Sequence, residues 1–213
     1  MIKLWRGAAP LWLIDNATRL LDGYKRAAPK SRPRVWRHSS IISSLKLTTS
    51  GKCMYCESLI AATSFAAVEH IRPKSKFPDL VVDWDNLGIC CDRCNLAKLD
   101  YWTDEPSLRL INPYTDNPAD HIEFIGPMAV PVLGSDRGKN TIRQLKLVQR
   151  DDLFVARARR IQELDARLQL WYNERRPAFR QLYADDILEF INTTQEYSAA
   201  LSSFAAFRGF TGP

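Results

Sequence analysis

Four of the five cysteines form two Cys-x-x-Cys pairs, Cys53/Cys56 and Cys91/Cys94. Each pair can present two thiolates to one tetrahedral ion, and two pairs make a closed zinc site that leaves no position for water. The spacing therefore predicts structural Zn²⁺ rather than catalytic zinc. Cys90 is an alternative ligand to Cys91, but only Cys91 repeats the two-residue spacing of the first pair.

Other functions of paired cysteines fit the sequence less well. A redox Cys-x-x-Cys motif is expected to begin a thioredoxin-like unit, and neither pair does so. Zinc deaminases need His-x-Glu and Pro-Cys-x-x-Cys, whereas here Glu69 directly precedes His70 and Cys91 follows Cys90. An odd number of cysteines without a recognisable export signal also argues against a disulfide framework.

The segment between the two pairs contains the residue types that phosphodiester hydrolysis requires. His70 can act as a general base, and Glu69 and Asn95 offer oxygen ligands for a hard divalent cation. Neighbours on a regular strand point to opposite faces, so Glu69 and His70 converge only if the strand ends or distorts there, as Pro73 would permit. Asn86 precedes a predicted strand, where a turn role is the ordinary explanation.

Short elements are predicted to position these residues. Strands are expected over 63–69 and 87–90, with a loop over 71–83 between them. Asp92 is predicted to cap a helix that carries the second cysteine pair and Asn95. That helix start would bring Asn95 one turn into the helix, facing the end of the first strand.

Helical segments are predicted on both sides of this core, which makes the fold class α+β. We divide the chain into a basic helical arm (1–50), a central core (51–110) and a hairpin followed by a helical region (111–213). The flanking helices are predicted at 9–27, 35–47, 139–147, 151–176 and 178–207, and the hairpin strands at 122–125 and 129–133.

Charge is distributed unevenly along the chain. Residues 1–52 carry eleven Lys/Arg and two acids, residues 53–120 carry six and eleven, and residues 121–213 carry thirteen and eleven. A basic flank beside an acidic centre fits a polyanion-binding surface next to a site that holds cations. A solvated basic helix explains the same charges equally well.

Composition excludes some classes of protein. Hydrophobic residues make up 46% and charged residues 25% of the 213 residues, which is ordinary for a globular protein. No apolar run approaches the roughly 20 residues of a membrane span, and no cleavage signature follows the short apolar stretch near the N-terminus. We therefore expect a cytoplasmic protein with no membrane partner.

The order of these residues inside a double cysteine knuckle resembles the His-Asn-His (HNH) nucleases of the ββα-metal fold, over residues 51–98. The resemblance implies that His70 is the general base. It also implies that Glu69 and Asn95 hold a catalytic Mg²⁺ or Mn²⁺, and that the cysteines hold the zinc of the zinc-bearing branch. Asn86 matches the middle motif residue, which orients the histidine and steadies the loop. Glu69 departs from the aspartate of many members, and its longer side chain can shift the ion or change the metal preference.

A narrower resemblance is to the HNH proteins of retron and Septu anti-phage systems, which act beside an ATPase partner. The segment Thr141–Leu147 (TIRQLKL), ahead of a long arginine-rich helix, fits that family too. The segments that carry the resemblance are Lys52–Glu57 (KCMYCE), Glu69–Ser75 (EHIRPKS), Asp83–Leu87 (DWDNL) and Ile111–Pro118 (INPYTDNP).

The sequence thus predicts a metal-dependent endonuclease whose substrate is nucleic acid, DNA in preference to RNA. Arg72, Lys74 and Lys98 are candidates for phosphate contacts, with ordinary solvated surface as the competing explanation. A zinc-stapled binding module without chemistry explains the cysteines and the basic arm, but not the order of the residues between the pairs. A third possibility is a subunit that docks on a partner through the 151–176 helix. The competing explanation for the apolar residues of that helix is packing within the monomer.

Overall fold

The computed structural model of the protein describes residues 1–60 and 66–210. Seven α-helices and four short strands are found in this part of the chain. The helices are α1 (Leu11–Arg26), α2 (Ser39–Thr48), α3 (Asp92–Lys98), α4 (Asp136–Gln144), α5 (Asp151–Asn173), α6 (Pro177–Phe190) and α7 (Ser198–Phe207), and the strands are β1 (Ala67–His70), β2 (Leu87–Cys90), β3 (Ile122–Ile125) and β4 (Met128–Pro131).

The central unit has the order strand, loop, strand, helix. β1 pairs antiparallel with β2 so that Glu69 lies opposite Gly88 and His70 lies opposite Leu87. All four residues of β2 are buried, as expected for a short apolar run in a core. The prediction of β2 is confirmed. The first strand, predicted at 63–69, occupies Ala67–His70, and positions 63–65 lie outside the described residues.

The helix predicted after β2 is present, but its cap differs from the prediction. Cys91 has an extended backbone, and its Sγ accepts a hydrogen bond from the backbone N–H of Cys94. The prediction that Asp92 caps α3 is therefore wrong. Asp92 is the first helical residue, where a carboxylate is favoured by the positive end of the helix dipole.

The N-terminal arm contains α1 and α2, joined by a segment with two 3-10 turns. α1 lies within the predicted 9–27 stretch. The helix predicted at 35–47 is interrupted at His38, whose backbone is extended and whose Nδ1 accepts a hydrogen bond from the Ser40 N–H. His38 therefore caps α2, and Val35–Arg37 form a separate 3-10 turn before it.

The C-terminal region follows the predicted order with shifted boundaries. β3 and β4 form the expected hairpin. α4 begins at Asp136 because the Ser135 hydroxyl caps it, accepting from the Gly138 N–H at 3.0 Å.

The prediction of a single helix at 178–207 is wrong, because the chain forms two helices, α6 and α7, with a connection between them. In that connection the Asn192 side chain accepts from the Thr194 N–H at 2.9 Å, and Tyr197 has a left-handed φ of 56°. The long helix α5 ends at Asn173 rather than at 176.

One hydrophobic core includes residues from the arm, the central unit and the hairpin region, and a smaller core joins α5, α6 and α7. The first cysteine pair is tied to the C-terminal region by two buried side chains. Lys52 Nζ donates to the Gln195 carbonyl at 2.8 Å, and the Ser198 hydroxyl donates to Glu57 at 2.8 Å. The boundaries 1–50, 51–110 and 111–213 stay a prediction. Among the described helices, none is both long and apolar enough to cross a membrane.

Candidate active site and metal centre

Four buried cysteines converge at one point of the central unit. The Sγ atoms of Cys53, Cys56, Cys91 and Cys94 all lie within 4.8 Å of one another, and those of Cys56 and Cys91 are 3.7 Å apart. A tetrahedral zinc with Zn–S bonds of about 2.3 Å holds its sulfur atoms about 3.8 Å apart. The residues present therefore fit a structural zinc ion.

Groups around the cluster suit bound thiolates. Arg150 Nη1 donates to Cys94 Sγ at 3.4 Å, and the Ser58 hydroxyl lies 3.3 Å from Cys56 Sγ. Cys90 is separate from the cluster, with its Sγ 3.9 Å from Glu69 Oε2. Burial raises the pKa of the Cys90 thiol well above its usual value, so that side chain is a neutral thiol. The geometry thus selects Cys91 over Cys90.

His70 ends β1 and is almost completely enclosed, with 5% of its surface exposed. Its Nε2 lies 3.1 Å from the Val81 carbonyl oxygen, which can only accept a hydrogen bond. Nε2 therefore carries the proton, and Nδ1 carries the lone pair of the neutral ring. Burial lowers the pKa of His70 from 6.5 to about 4, so the imidazole is neutral near pH 7.

Glu69 is 2% exposed and pairs with Lys98, which is 1% exposed. Lys98 Nζ lies 2.5 Å from Glu69 Oε1 and donates to the His70 carbonyl at 2.9 Å. Burial raises the pKa of the Glu69 carboxyl, and the Lys98 ammonium counteracts part of that shift. The Lys98 ammonium pairs with Oε1, so Oε2 is the carboxylate oxygen of Glu69 that would coordinate a metal ion.

A cavity of about 640 Å³ brings the predicted chemical groups together, since Glu69, His70, Asn95 and Lys74 all line it. Asn95 lies on the first turns of α3, which follows directly from the second cysteine pair. One carboxylate and one amide oxygen form a hard donor set of the kind that Mg²⁺ and Mn²⁺ prefer. The residues fit a divalent ion at the side of the cavity formed by β1 and α3.

Asn86 connects the two ends of the loop between β1 and β2. Its Oδ1 accepts from the Arg72 N–H at 2.7 Å, and its Nδ2 donates to the carbonyls of Arg72 and Leu80 at 3.0 and 3.1 Å. The next residue after Leu80 is Val81, whose carbonyl holds His70. Asn86 thus supports the loop whose Val81 carbonyl accepts the hydrogen bond from His70, and none of these three Asn86 hydrogen bonds involves the ring.

The three candidate phosphate contacts lie in different surroundings. Lys74 lines the cavity with its ammonium 5.4 Å from the centre of the Trp36 ring. Arg72 is exposed and stacks against Phe77 and Trp102. Lys98 is buried against Glu69, so a phosphate cannot reach its ammonium while that ion pair is intact.

Sequence reasoning did not identify the part of the arm that forms the other wall of the cavity. Arg34, Trp36 and Arg37 line it, and the Trp36 ring packs on His70. The excess of positive charge in residues 1–52 was the signal that pointed to this region, but it did not single out these positions.

Two comparisons with known proteins agree with this geometry. Residues 53–100 match the family model of HNH endonucleases. Septu protein PtuB of Bacillus thuringiensis is 34% identical over 159 residues, which cover 74% of this chain and 58% of that protein. Septu protein PtuB of Bacillus mycoides (strain KBAB4) is 30% identical over 189 residues, covering 71% of this chain and 64% of that protein.

The matched region thus spans less than two thirds of the length of either relative. The predicted resemblance to HNH nucleases and to Septu proteins is confirmed, and so is the α+β fold with a cysteine-clustered HNH core. The likeness to retron proteins and the roles of the individual site residues stay predictions.

The cysteine cluster predicts the outcome of two matched substitutions. Cys56→Ala removes a ligand, and because a structural zinc contributes on the order of 10 kcal/mol in small zinc domains, we expect loss of zinc and loss of folding of the central unit. Cys90→Ala removes a buried thiol of the same size outside the cluster, and about one zinc per chain should remain. Elemental analysis and thermal melting measure both. Zinc loss in Cys90→Ala with retention in Cys91→Ala would contradict the assignment.

A double-mutant cycle tests the energetic coupling between Glu69 and Lys98 in the buried ion pair. Lys98→Met leaves the Glu69 carboxylate without its partner and should cost about 3–5 kcal/mol of unfolding free energy. Lys98→Met/Glu69→Gln removes both charges and should recover part of that loss. The exposed pair of Lys25 and Asp79 is the control, and Lys25→Met should leave stability unchanged within error. Urea unfolding measures all variants, and additive losses at positions 69 and 98 would refute the coupling.

Proposed function

We propose that this protein is a metal-dependent HNH endonuclease that hydrolyses phosphodiester bonds in nucleic acid. The observation that carries the proposal is that His70, Glu69 and Asn95 line one cavity. A general base and two hard oxygen ligands at one site are what metal-assisted phosphodiester hydrolysis requires. The match of residues 53–100 to HNH endonucleases supports the same reaction class.

In this proposal His70 activates the attacking water. Its Nε2–H donates to the Val81 carbonyl, so Nδ1 is the atom that takes the proton from water. Burial keeps the imidazole neutral and ready to accept that proton. A bound phosphate adds negative charge beside the ring, which favours the protonated form and raises the basicity of His70 when the substrate is present.

Glu69 and Asn95 would hold the catalytic Mg²⁺ or Mn²⁺, and the four cysteines would hold structural Zn²⁺. When bound, the divalent ion supplies electrostatic stabilisation of the charge that develops on the phosphate and the leaving oxygen. Lys98 keeps the Glu69 carboxylate in place and ties it to the His70 backbone. Asn86 keeps the loop that carries Val81 closed over His70.

DNA is the proposed substrate in preference to RNA, with Lys74 as the phosphate contact that the cavity supports. Arg72 can reach a flanking part of the strand, because it is exposed two residues after His70. Lys98 can bind phosphate only after its ion pair with Glu69 opens, so we assign it to the support of Glu69 instead.

We also propose that the protein is the nuclease of an anti-phage defence system and acts with an ATPase partner. The similarity to two Septu proteins supports the first part. The apolar stripe of α5 packs within the monomer, through Leu153 in the larger core and through Ile161, Leu164 and Leu168 in the smaller one, so this stripe is not free for docking. Partner docking would use exposed positions near the C-terminal end of α5, where Leu170 and Tyr172 are both accessible.

A zinc-stapled binding module without chemistry remains the competing function. It requires the cysteine cluster and a basic surface, both of which are present. It gives no reason for a neutral, buried histidine beside a carboxylate and an amide that line the same cavity, so the endonuclease explains more of the site.

Replacing the proposed base separates these two functions. His70→Ala should leave zinc content and nucleic-acid binding intact and lower the cleavage rate by about 10²–10⁴-fold in Mg²⁺ or Mn²⁺. His121→Ala is a matched control, because His121 bonds Ser135 near the hairpin, outside the cavity lining. Nicking of supercoiled plasmid is measured with and without the co-expressed ATPase. Equal cutting by wild type and His70→Ala rules out this base, and absence of cutting in every condition favours the binding module.

The docking proposal predicts a specific loss of co-purification. Leu170→Asp/Tyr172→Asp places two charges at exposed positions near the C-terminal end of α5 and should abolish capture of the co-expressed ATPase while the monomer stays folded. Leu133→Asp, at a fully exposed leucine beside the hairpin, is the control and should leave capture unchanged. Retained capture by the double variant would move the docking surface away from α5.

A further inference from the structure

The arm contributes an aromatic side chain directly to the proposed base. The Trp36 and His70 rings meet edge to face, with centroids 4.9 Å apart and planes at 87°. Trp36 is 8% exposed, so this contact is enclosed. Aromatic pairs favour edge-to-face packing at this distance, and the contact restricts rotation of the imidazole about its bond to Cβ.

Trp36 is itself held from two other directions. Tyr24 of α1 packs edge-on against it at 6.0 Å, and the Lys74 ammonium lies 5.4 Å from the ring centre. Three elements thus converge on Trp36, namely α1, the loop after β1 and the end of β1. The hydrogen bond from Nε2 to Val81 fixes one edge of the His70 ring, and Trp36 limits the tilt that this single bond would allow.

The residues on either side of Trp36 present charge to the same cavity. Arg34 and Arg37 are exposed and line it together with His70 and Asn95. A 3-10 turn joins the two arginines, with the Arg37 N–H donating to the Arg34 carbonyl at 3.0 Å. Because both arginines line this cavity, both guanidinium groups can engage one strand.

We infer that residues 34–37 form the second wall of the nuclease site, where Arg34 and Arg37 bind the phosphates that flank the scissile bond and Trp36 is a positioning residue for His70. This inference rests on the proposed endonuclease function and assigns part of its substrate-binding surface to the arm. Guanidinium groups suit this task, because they bind phosphate oxygens with two parallel hydrogen bonds.

The two roles separate in kinetics. Arg34→Gln/Arg37→Gln should raise KM and weaken binding to labelled duplex DNA about ten-fold, with kcat little changed. The slope of log affinity against log salt should fall by about 1.8, the value for two phosphate contacts. Arg19→Gln/Arg26→Gln makes the same charge change on α1, away from the cavity lining, and should alter KM by less than about two-fold because solvent screens those charges.

Trp36→Leu should produce the opposite pattern. The imidazole loses its packing partner while its bond to Val81 remains, so kcat should fall by up to about 10²-fold with KM almost unchanged. Trp36→Phe restores an aromatic edge and should recover most of kcat. Trp12→Leu is the matched control, since Trp12 stacks on His38 in the same arm. Circular dichroism and zinc content, measured on every variant, correct the rates for the folded fraction.

The results decide between the possibilities. A normal KM and salt slope in Arg34→Gln/Arg37→Gln overturns the phosphate contacts. A kcat that follows only the folded fraction, with no recovery in Trp36→Phe, overturns the positioning role and leaves Trp36 as core packing. If wild type and His70→Ala both fail to cut, the endonuclease function fails and the Trp36 role with it, while the binding measurements still test the two arginines.

Discussion

The convergence of four thiols at one buried point is the constraint on which the rest of the site depends. Burying several ionised thiolates without a cation is very unfavourable, so the cluster folds only when a metal or protons neutralise it. Cys91 both belongs to the cluster and caps α3, because its Sγ accepts from the Cys94 N–H. The position of α3, and with it that of Asn95, is therefore set by the geometry of the cluster.

The same helix explains why Lys98 is buried. Residues four apart lie on one face of an α-helix, and Cys94 must face the interior to join the cluster. Lys98, four residues later, also faces the interior, where its ammonium forms an ion pair with the Glu69 carboxylate. The four-residue spacing from Cys94 to Lys98 is present in the sequence and indicates an inward-facing lysine. The pair joins α3 to the end of β1, so the cluster indirectly fixes the carboxylate proposed to hold the catalytic ion.

Sequence patterns predicted the elements whose positions depend on local chemistry. β2 and α3 were found because the cysteine spacing and the short apolar run specify them. The break before α7 was missed although residues 192–196 (NTTQE) are all polar and interrupt the apolar pattern there. The Asn192 turn and the left-handed Tyr197 form the connection at this point. Trp36 was missed for a different reason. Its contact with His70 joins two elements and two positions that are 34 residues apart. Neither the residue types nor their spacing in the sequence predicts that the two rings are in contact.

The acidic centre and the basic arm of the sequence both contribute charged residues to the lining of the same cavity. The acidic centre supplies Glu69, and the basic arm supplies Arg34 and Arg37. Lys74 also lines the cavity, and its charge counteracts part of the rise in the pKa of the Glu69 carboxyl that burial causes. A phosphodiester strand needs cationic groups along its backbone and a metal ion at the one phosphate that reacts. In the proposed nuclease the arm would hold the strand while the core holds the ion, so cleavage would require the arm as well as the HNH core.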